Sequence, residues 1–298
     1  MGCGDLLPGE RVLGDEVPAV ILDGSAGSRL GAAVAVGLLD EQVAVAVAAP
    51  DAGTVTVHDP DGRQRWQVQG EVGLGLGLTI AGGRLLALLP GQGVVDLTQG
   101  GASLLLEAPR AAQLAACPDG ALLTADHPDE AVACGPDGQA LRTRCDGAAT
   151  CQVLLDEVPL ATTSAGSDVA FWGPLACWGD ALPDQDDAAG AVRCEDGSAL
   201  DGLQGEHLGR SLADGWATGV FDKWIVPARA RIHPMGGGEV WAVDRAAEAT
   251  RLALATGEGL LVVGVPGYAA RDPGEGRVFI VDLAEHDAVP AAGEGSAR

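Results

Sequence analysis

The chain repeats a similar pattern of short apolar runs about every 43 residues, and this period restricts its possible folds. Each copy has a proline near the end of its second apolar run, at Pro50, Pro90, Pro128, Pro183, Pro227 and Pro266. The intervals are 40, 38, 55, 44 and 39 residues. A period in this range indicates stacked supersecondary units such as solenoid repeats or propeller blades.

Residues 28–59 show that the repeated unit is made of strands. This segment contains three runs, GAAVAVG, QVAVAVA and TVTVH, separated by turns rich in Asp, Pro and Gly. Alternation of apolar residues with β-branched side chains predicts strands instead of helices. The run RQRWQVQ follows and supplies a fourth strand. Four strands per repeat are typical of a propeller blade.

We therefore predict an all-β fold, a β-propeller with six blades of four antiparallel strands, with seven blades as the runner-up. A β-sandwich is the structural rival. Residues 17–23 form a lone apolar strand, which we expect to close the ring by pairing with residues 276–282, because an unpaired edge promotes aggregation. The expected organisation is a tether over 1–16, one propeller domain over 17–284 and a tail over 285–298.

Charge and hydropathy exclude two classes of partner. The net charge is −24, with one lysine beside 17 arginines. Such a surface repels phosphate backbones, so we expect no nucleic-acid partner. The longest apolar stretch is interrupted by Asp40 and Glu41. It is shorter than the roughly 20 residues that span a bilayer, so we expect membrane attachment only through a lipid.

Six of the seven cysteines lie between Cys117 and Cys194, and none of them forms a C-x-x-C motif. An even set with these spacings favours three disulfides in an oxidising compartment over a zinc site. The expected pairs are Cys145 with Cys151, Cys177 with Cys194 and, by elimination, Cys117 with Cys134.

The seventh cysteine, Cys3, lies in the sequence MGCGD, followed by a polar leader. This start resembles the mature N-terminus of a bacterial lipoprotein, in which the cysteine is lipidated. The resemblance implies an envelope location, as an outer-membrane lipoprotein or a secreted protein, and a signal region missing from this sequence. A free thiol near the terminus is the alternative.

The repeats resemble the FG-GAP repeats of integrin α-chain-type propellers. Leu30-Gly31 and residues 208–213 match the opening of that motif, and Ala49-Pro50 and residues 264–266 match its Gly-Ala-Pro turn. The resemblance implies a cell-surface binding or adhesion module. Many such blades bind calcium in an Asp-rich loop between their first two strands, but the corresponding loops here have too few carboxylates. We therefore expect no metal and no cofactor.

Two classes of function remain open. The first is a non-enzymatic binding module, for which we expect no catalytic residues. The alternative is a propeller hydrolase or lyase with its site in the central channel. The polar side chains that the innermost strands offer to such a site are Gln113, Asp168, Arg210 and Arg251.

The longest loops after second strands occur in the last three repeats, and we expect them to emerge on one rim. Long loops on one face are where repeat proteins usually bind. The partner would be a protein or glycan of the cell envelope. The alternative is that these loops face solvent and bind no partner. The candidate ligand-binding residues are Asp184, Asp186, Asp187, Arg229, Arg231, Tyr268 and Arg271.

Overall fold

The structure of the chain is a computed structural model. It describes residues 10–145, 149–181, 188–221, 229–244, 246, 251–268 and 274–286. Almost all regular structure in these residues is β-strand, with two 3₁₀ turns at Pro50–Ala52 and Leu283–Glu285. None of the described residues forms a helix able to cross a bilayer.

The strands form seven sheets, numbered here in chain order from sheet 1 to sheet 7. The first two strands are β1 (Glu10–Val12) and β2 (Val20–Asp23). Sheet 1 contains β3 (Val34–Leu39), β4 (Gln42–Ala49), β5 (Thr54–His58) and β6 (Gln64–Gln69). Sheet 2 contains β7 (Leu78–Ala81), β8 (Arg84–Leu89), β9 (Gly93–Asp96) and β10 (Ser103–Glu107). Sheet 3 contains only β11 (Gln113–Ala116) and β12 (Leu122–Ala125).

The remaining four sheets lie in the second half of the chain. Sheet 4 contains β13 (Val132–Cys134), β14 (Ala140–Cys145), β15 (Thr150–Leu155) and β16 (Val158–Ser164). Sheet 5 contains β17 (Val169–Trp172), β18 (Leu175–Asp180), β19 (Ala191–Cys194) and β20 (Ala199–Asp201). Sheet 6 contains β21 (Ser211–Ala213), β22 (Trp216–Val220), β23 (Arg229–Pro234) and β24 (Val240–Asp244). Sheet 7 contains β25 (Ala253–Gly257), β26 (Leu260–Val265) and β27 (Arg277–Asp282).

The propeller prediction is confirmed, including six sheets with four antiparallel strands. The first strands of successive sheets contact one another in order, and β25 contacts β3, which closes the ring. Closure by the N-terminal strand is also confirmed, because β2 pairs antiparallel with β27, from Val20 opposite Ile280 to Asp23 opposite Arg277. Strand β1, in the segment expected to be a tether, pairs parallel with β24 as a fifth strand of sheet 6.

The third repeat differs from the prediction. One blade is expected from its four apolar runs AAQLAAC, ALLTADHPD, EAVACG and QALRTRC, but the first two form sheet 3 and the next two begin sheet 4. The hairpin through Cys145 and Cys151 continues sheet 4 outward through β15 and β16, so this sheet is complete without β11 and β12. The ring therefore has a two-stranded sheet between sheets 2 and 4, in addition to five four-stranded sheets and the five-stranded sheet 6.

Buried side chains fill the spaces between neighbouring sheets. Separate apolar clusters lie between sheets 1 and 2, 2 and 3, 4 and 5, 5 and 6, 6 and 7, and 7 and 1. The described residues show no such cluster between sheets 3 and 4, where the Cys117–Cys134 disulfide instead joins β11 to β13. All three predicted disulfides are confirmed.

The glycine that opens a repeat has a packing role. Gly31 has φ of +83°, and a Cβ added to Gly264 in the preceding sheet would lie 2.1 Å from its carbonyl oxygen. Gly209 repeats this arrangement, with φ of +99° and 2.0 Å between its carbonyl oxygen and a Cβ added to Gly179. Only glycine allows both the left-handed backbone and this close approach. The Leu-Gly openings of the sequence thus mark points where two sheets meet.

Candidate functional site

The seven first strands surround a central cavity of about 1040 Å³. Each first strand pairs with its second strand along one edge only, so its other edge, with backbone N–H and C=O groups, borders the cavity. Because the sheets repeat around the ring, the beginnings of the first strands meet at one end. We call this end the N-terminal mouth, and its polar side chains are Arg29, Gln113, Asp168, Ser211 and Arg251.

Asp168 precedes β17 and links three sheets at the N-terminal mouth. Its Oδ1 accepts a hydrogen bond from the backbone N–H of Val169 at 2.9 Å. Its Oδ2 accepts one from the backbone N–H of Leu212 in sheet 6 at 3.0 Å and lies 2.9 Å from Nη2 of Arg251, which precedes sheet 7. The carboxylate is therefore fixed and orients the guanidinium.

Arg251 is held on a second side by Ser211. Its Nε donates to Ser211 Oγ at 3.3 Å, and that hydroxyl in turn donates to the carbonyl of Leu252. The Arg251 side chain is 38% exposed, and its Nη1 has no partner within the described part of the chain. A guanidinium that is oriented on two sides and still has free N–H groups can bind a carboxylate or phosphate oxygen.

Arg29 adds a second guanidinium to this mouth. Its backbone is left-handed, with φ of +51°, and its N–H donates to the carbonyl of Gly274 at 2.9 Å. Its half-exposed side chain lies 3.8 Å from Asp51, a separation that provides little stabilisation in water. The charged side chains that line the described N-terminal mouth are thus two arginines and one aspartate, in a chain of net charge −24.

Three of the four polar residues predicted for a channel site line the cavity. Asp168 and Arg251 come together, and Gln113 lines the same cavity. Arg210 is not among the residues that line it. Sequence reasoning missed Ser211 and Arg29 as channel residues. The sequence signal that could have identified them is their position next to a repeat opening. Ser211 begins β21 shortly after the opening at Gly209, and Arg29 directly precedes the opening Leu30-Gly31.

The structure corrects the placement of Arg229 and Arg231. Both were expected on a rim loop, but they lie on the third strand of sheet 6, β23, and are 7% and 8% exposed. Arg231 Nε lies 2.6 Å from Glu10, and Arg229 Nε donates to Asp244 at 3.0 Å. They are buried because carboxylates from neighbouring strands neutralise them.

Glu206 is the centre of this buried cluster. It is fully buried, accepts hydrogen bonds from His233 Nε2 and, at 3.1 Å, from Arg231 Nη1, and also accepts one from the Leu203 N–H at 2.7 Å. These buried hydrogen bonds and ion pairs join sheets 5 and 6, so the structure gives Arg231 a packing role between sheets and not a place on a rim loop.

The predicted position of Tyr268 is also corrected by the structure. It was expected to be an exposed aromatic of the rim, but it is 6% exposed. Its hydroxyl accepts a hydrogen bond from Arg277 Nη1 at 2.7 Å, and the Arg277 guanidinium lies 4.1 Å from the ring centroid. The remaining candidates, Asp184, Asp186, Asp187 and Arg271, lie outside the described residues, as does Cys3.

Comparison with known proteins supports the fold. No family model and no curated sequence matches the chain. A streptogramin B lyase structure is 9% identical, with a TM-score of 0.56 over 88% of this chain and 97% of that one. The Cps50 (Swd1) β-propeller domain of Myceliophteria thermophila is 11% identical, with a TM-score of 0.53 over 88% and 99%. BBS1N, solved in complex with ARL6DN, is 10% identical, with a TM-score of 0.53 over 90% and 98%.

These similarities correct the expectation that the protein is not an enzyme. A streptogramin B lyase has the same fold over nearly its whole length, so the propeller gives no reason to exclude catalysis. The neighbours also include a propeller solved in complex with another protein. At these identities the similarity concerns the fold alone.

Proposed function

We propose that this propeller is a ligand-binding module of the bacterial cell envelope that takes a carboxylate-bearing polar ligand at the N-terminal mouth. The observation that carries the proposal is the Arg251 guanidinium, which lines the cavity and is held by Asp168 and Ser211. Unpaired backbone edges of the first strands supply further donors and acceptors for hydroxyl or amide groups of the ligand.

The envelope location in this proposal is supported by three features. Three disulfides are typical of proteins in oxidising compartments. The MGCGD start suits lipid attachment at Cys3, and the repeat openings suit an FG-GAP-like surface protein. In this proposal the natural ligand is a protein or glycan of the envelope that presents a carboxylate.

Binding of glucuronate to the full chain tests the proposal, with methyl glucoside as the neutral counterpart. We expect glucuronate to bind more tightly. Arg251→Gln should weaken glucuronate binding about tenfold or more, because a hydrogen bond to a charged group contributes about 1.5 to 3 kcal/mol. The matched control is Arg193→Gln, which removes an exposed arginine paired with Asp201 on the outside of sheet 5.

Calorimetric titration measures both affinities, and thermal unfolding shows that each variant is folded. Equal affinity for glucuronate and methyl glucoside, or an equal loss in both variants, would contradict the proposed site.

A hydrolase or lyase at the same mouth is the second candidate. A channel enzyme requires polar groups from several first strands at one end, and Asp168, Ser211 and Arg251 meet this requirement. Conversion of a bound probe, followed by NMR in the titration samples, separates the candidates. Turnover that is lost in Asp168→Asn would establish catalysis, and a probe that binds without change would support binding alone.

A further inference from the structure

Sheet 3 has half the strands of its neighbours. It contains β11 and β12, and only residues 126–131 separate β12 from β13. Six residues cannot form two more strands with their turns, because a typical strand alone takes about five or six. The positions of a third and a fourth strand are therefore empty in the described structure.

The outer edge of β12 has unpaired backbone groups. The N–H of Cys117 donates to the carbonyl of Ala121 at 2.8 Å, and the pairing continues with Leu123 opposite Ala115 and Ala125 opposite Gln113. Because hydrogen-bonded positions alternate in an antiparallel pair, the N–H and C=O groups of Leu122 and Thr124 point away from β11. No described residue hydrogen-bonds to these outward groups.

This edge forms the floor of a groove between sheets 2 and 4. Neighbouring strands are about 4.8 Å apart, and sheet 3 lacks two outer strands. The outer edge of β12 therefore lies roughly 10 Å closer to the channel than the outer edges of sheets 2 and 4. A second copy cannot pair its own β12 with this one, since both edges are recessed. The occupant must be narrow, such as an extended segment or a two-stranded hairpin.

The two walls of the groove differ in chemistry. Leu106 of sheet 2 lies opposite Val94, on the face that packs against sheet 3, and is 39% exposed. Across the groove, a cavity of about 260 Å³ separates β12 from Arg142 and Arg144 of sheet 4. These two guanidiniums share a single carboxylate, that of Glu157, at 3.2 and 2.8 Å.

Acidic groups also line the groove, but at one end. Asp126 and Glu130 border the same cavity in the connection between β12 and β13. The carboxylate of Glu130 accepts a hydrogen bond from the backbone N–H of Cys145 at 3.0 Å. Positive charge on the sheet 4 wall is therefore confined to the two guanidiniums of Arg142 and Arg144.

The described part of the chain begins and ends away from this groove. The described chain begins at Glu10 in sheet 6 and ends at His286, whose ring contacts Trp241 of the same sheet. Sheet 6 is on the other side of the seven-membered ring from sheet 3.

We propose that a partner protein inserts an extended segment into this groove and pairs with β12. Its side chains alternate, with apolar residues facing Leu106 and acidic residues facing Arg142 and Arg144. Strand addition to an exposed edge obtains affinity from main-chain bonds and specificity from alternate side chains. The Cys117–Cys134 disulfide fixes the edge in advance, which lowers the entropy cost of binding.

Two eight-residue peptides with blocked ends test the proposal on the full chain, one alternating valine with glutamate and one alternating valine with lysine. We expect the glutamate peptide to bind at least tenfold more tightly and to protect the amides of Leu122 and Thr124 from hydrogen exchange. The double substitution Arg142→Gln with Arg144→Gln should remove most of this preference.

Thr124→Pro removes one outward N–H from an edge strand, where proline is tolerated, and Thr124→Val keeps it. We expect the proline variant to lose at least tenfold in affinity for the glutamate peptide and the valine variant to stay within twofold of the parent. Circular dichroism and thermal unfolding verify that both are folded. The proposal is overturned if neither peptide binds, if the lysine peptide binds as tightly, or if Thr124→Pro binds like Thr124→Val.

Discussion

The buried carboxylate of Glu206 shows how single residues contribute to this structure. Burial alone raises its pKa, but the hydrogen bond from His233 and the charges of His233 and Arg231 outweigh burial and lower the pKa below its ordinary value. A carboxyl whose pKa is lower in the folded state stabilises the fold above its unfolded pKa. This contribution is lost as the pH falls through the folded pKa.

The pH dependence of stability tests this role of Glu206. We expect the free energy of unfolding of the parent to fall as the pH drops below about 4.3, the ordinary pKa of a glutamate. Glu206→Gln should be destabilised by about 3 to 5 kcal/mol at pH 7, because it removes the buried negative charge that pairs with both Arg231 and His233. The variant should also show a shallower acid decline.

Urea unfolding between pH 3 and 7 measures both effects, with the exposed Glu71→Gln as control. An acid decline of the same slope in Glu206→Gln and in the parent would show that another group is responsible.

At the scale of the elements, sheet 3 shows what sequence patterns can and cannot predict. Alternation identified β11, β12, β13 and β14 as strands, but not which of them pair. Pairing depends on the short connection 126–131 and on β15 continuing sheet 4, and both are tertiary features. The same limit affected Arg229 and Arg231, since sequence alone could not show that Glu10 and Glu206 lie opposite them.

The disulfide that joins sheets 3 and 4 should stabilise sheet 3 locally, beyond the entropic effect expected from its loop length. Replacing Cys117 and Cys134 with alanine opens a 17-residue loop, for which chain entropy predicts a loss of about 3 kcal/mol. Replacing Cys145 and Cys151 opens a 6-residue loop and should cost about 2 kcal/mol. Because no buried apolar cluster joins sheets 3 and 4 in the described residues, the first variant should also lose hydrogen-exchange protection in β11 and β12.

Urea unfolding and hydrogen exchange of the two double variants check this difference. Native-like protection of β11 and β12 without the Cys117–Cys134 bond would mean that other contacts hold sheet 3 in place.

At the scale of the whole molecule, ring closure depends on strands from both ends of the chain. The pairing of β2 with β27 was predictable because residues 17–23 are apolar and have no neighbouring partner in sequence. The parallel pairing of β1 with β24 was not, since three residues of mixed polarity carry no strand signal.

Deleting residues 1–24 removes both strands and should lower the melting temperature by about 5 to 10 °C, the effect of losing a few kcal/mol in a domain of this size. Deleting residues 1–9 keeps both strands and should leave the melting temperature within about 1 °C of the parent. Differential scanning calorimetry measures both. An unchanged melting temperature after the longer deletion would contradict closure by β2.

The N-terminal mouth is where several sheets meet the proposed ligand, because Asp168, Ser211 and Arg251 come from the consecutive sheets 5, 6 and 7. Specificity there depends on one guanidinium whose orientation is set by two other sheets.

A crystal structure of the full chain soaked with glucuronate tests this arrangement most directly. We predict a closed ring of seven first strands, with the glucuronate carboxylate within hydrogen-bond distance of the Arg251 guanidinium at the N-terminal mouth. Glucuronate bound only at another surface, or a saturated soak with an empty mouth, would contradict the account.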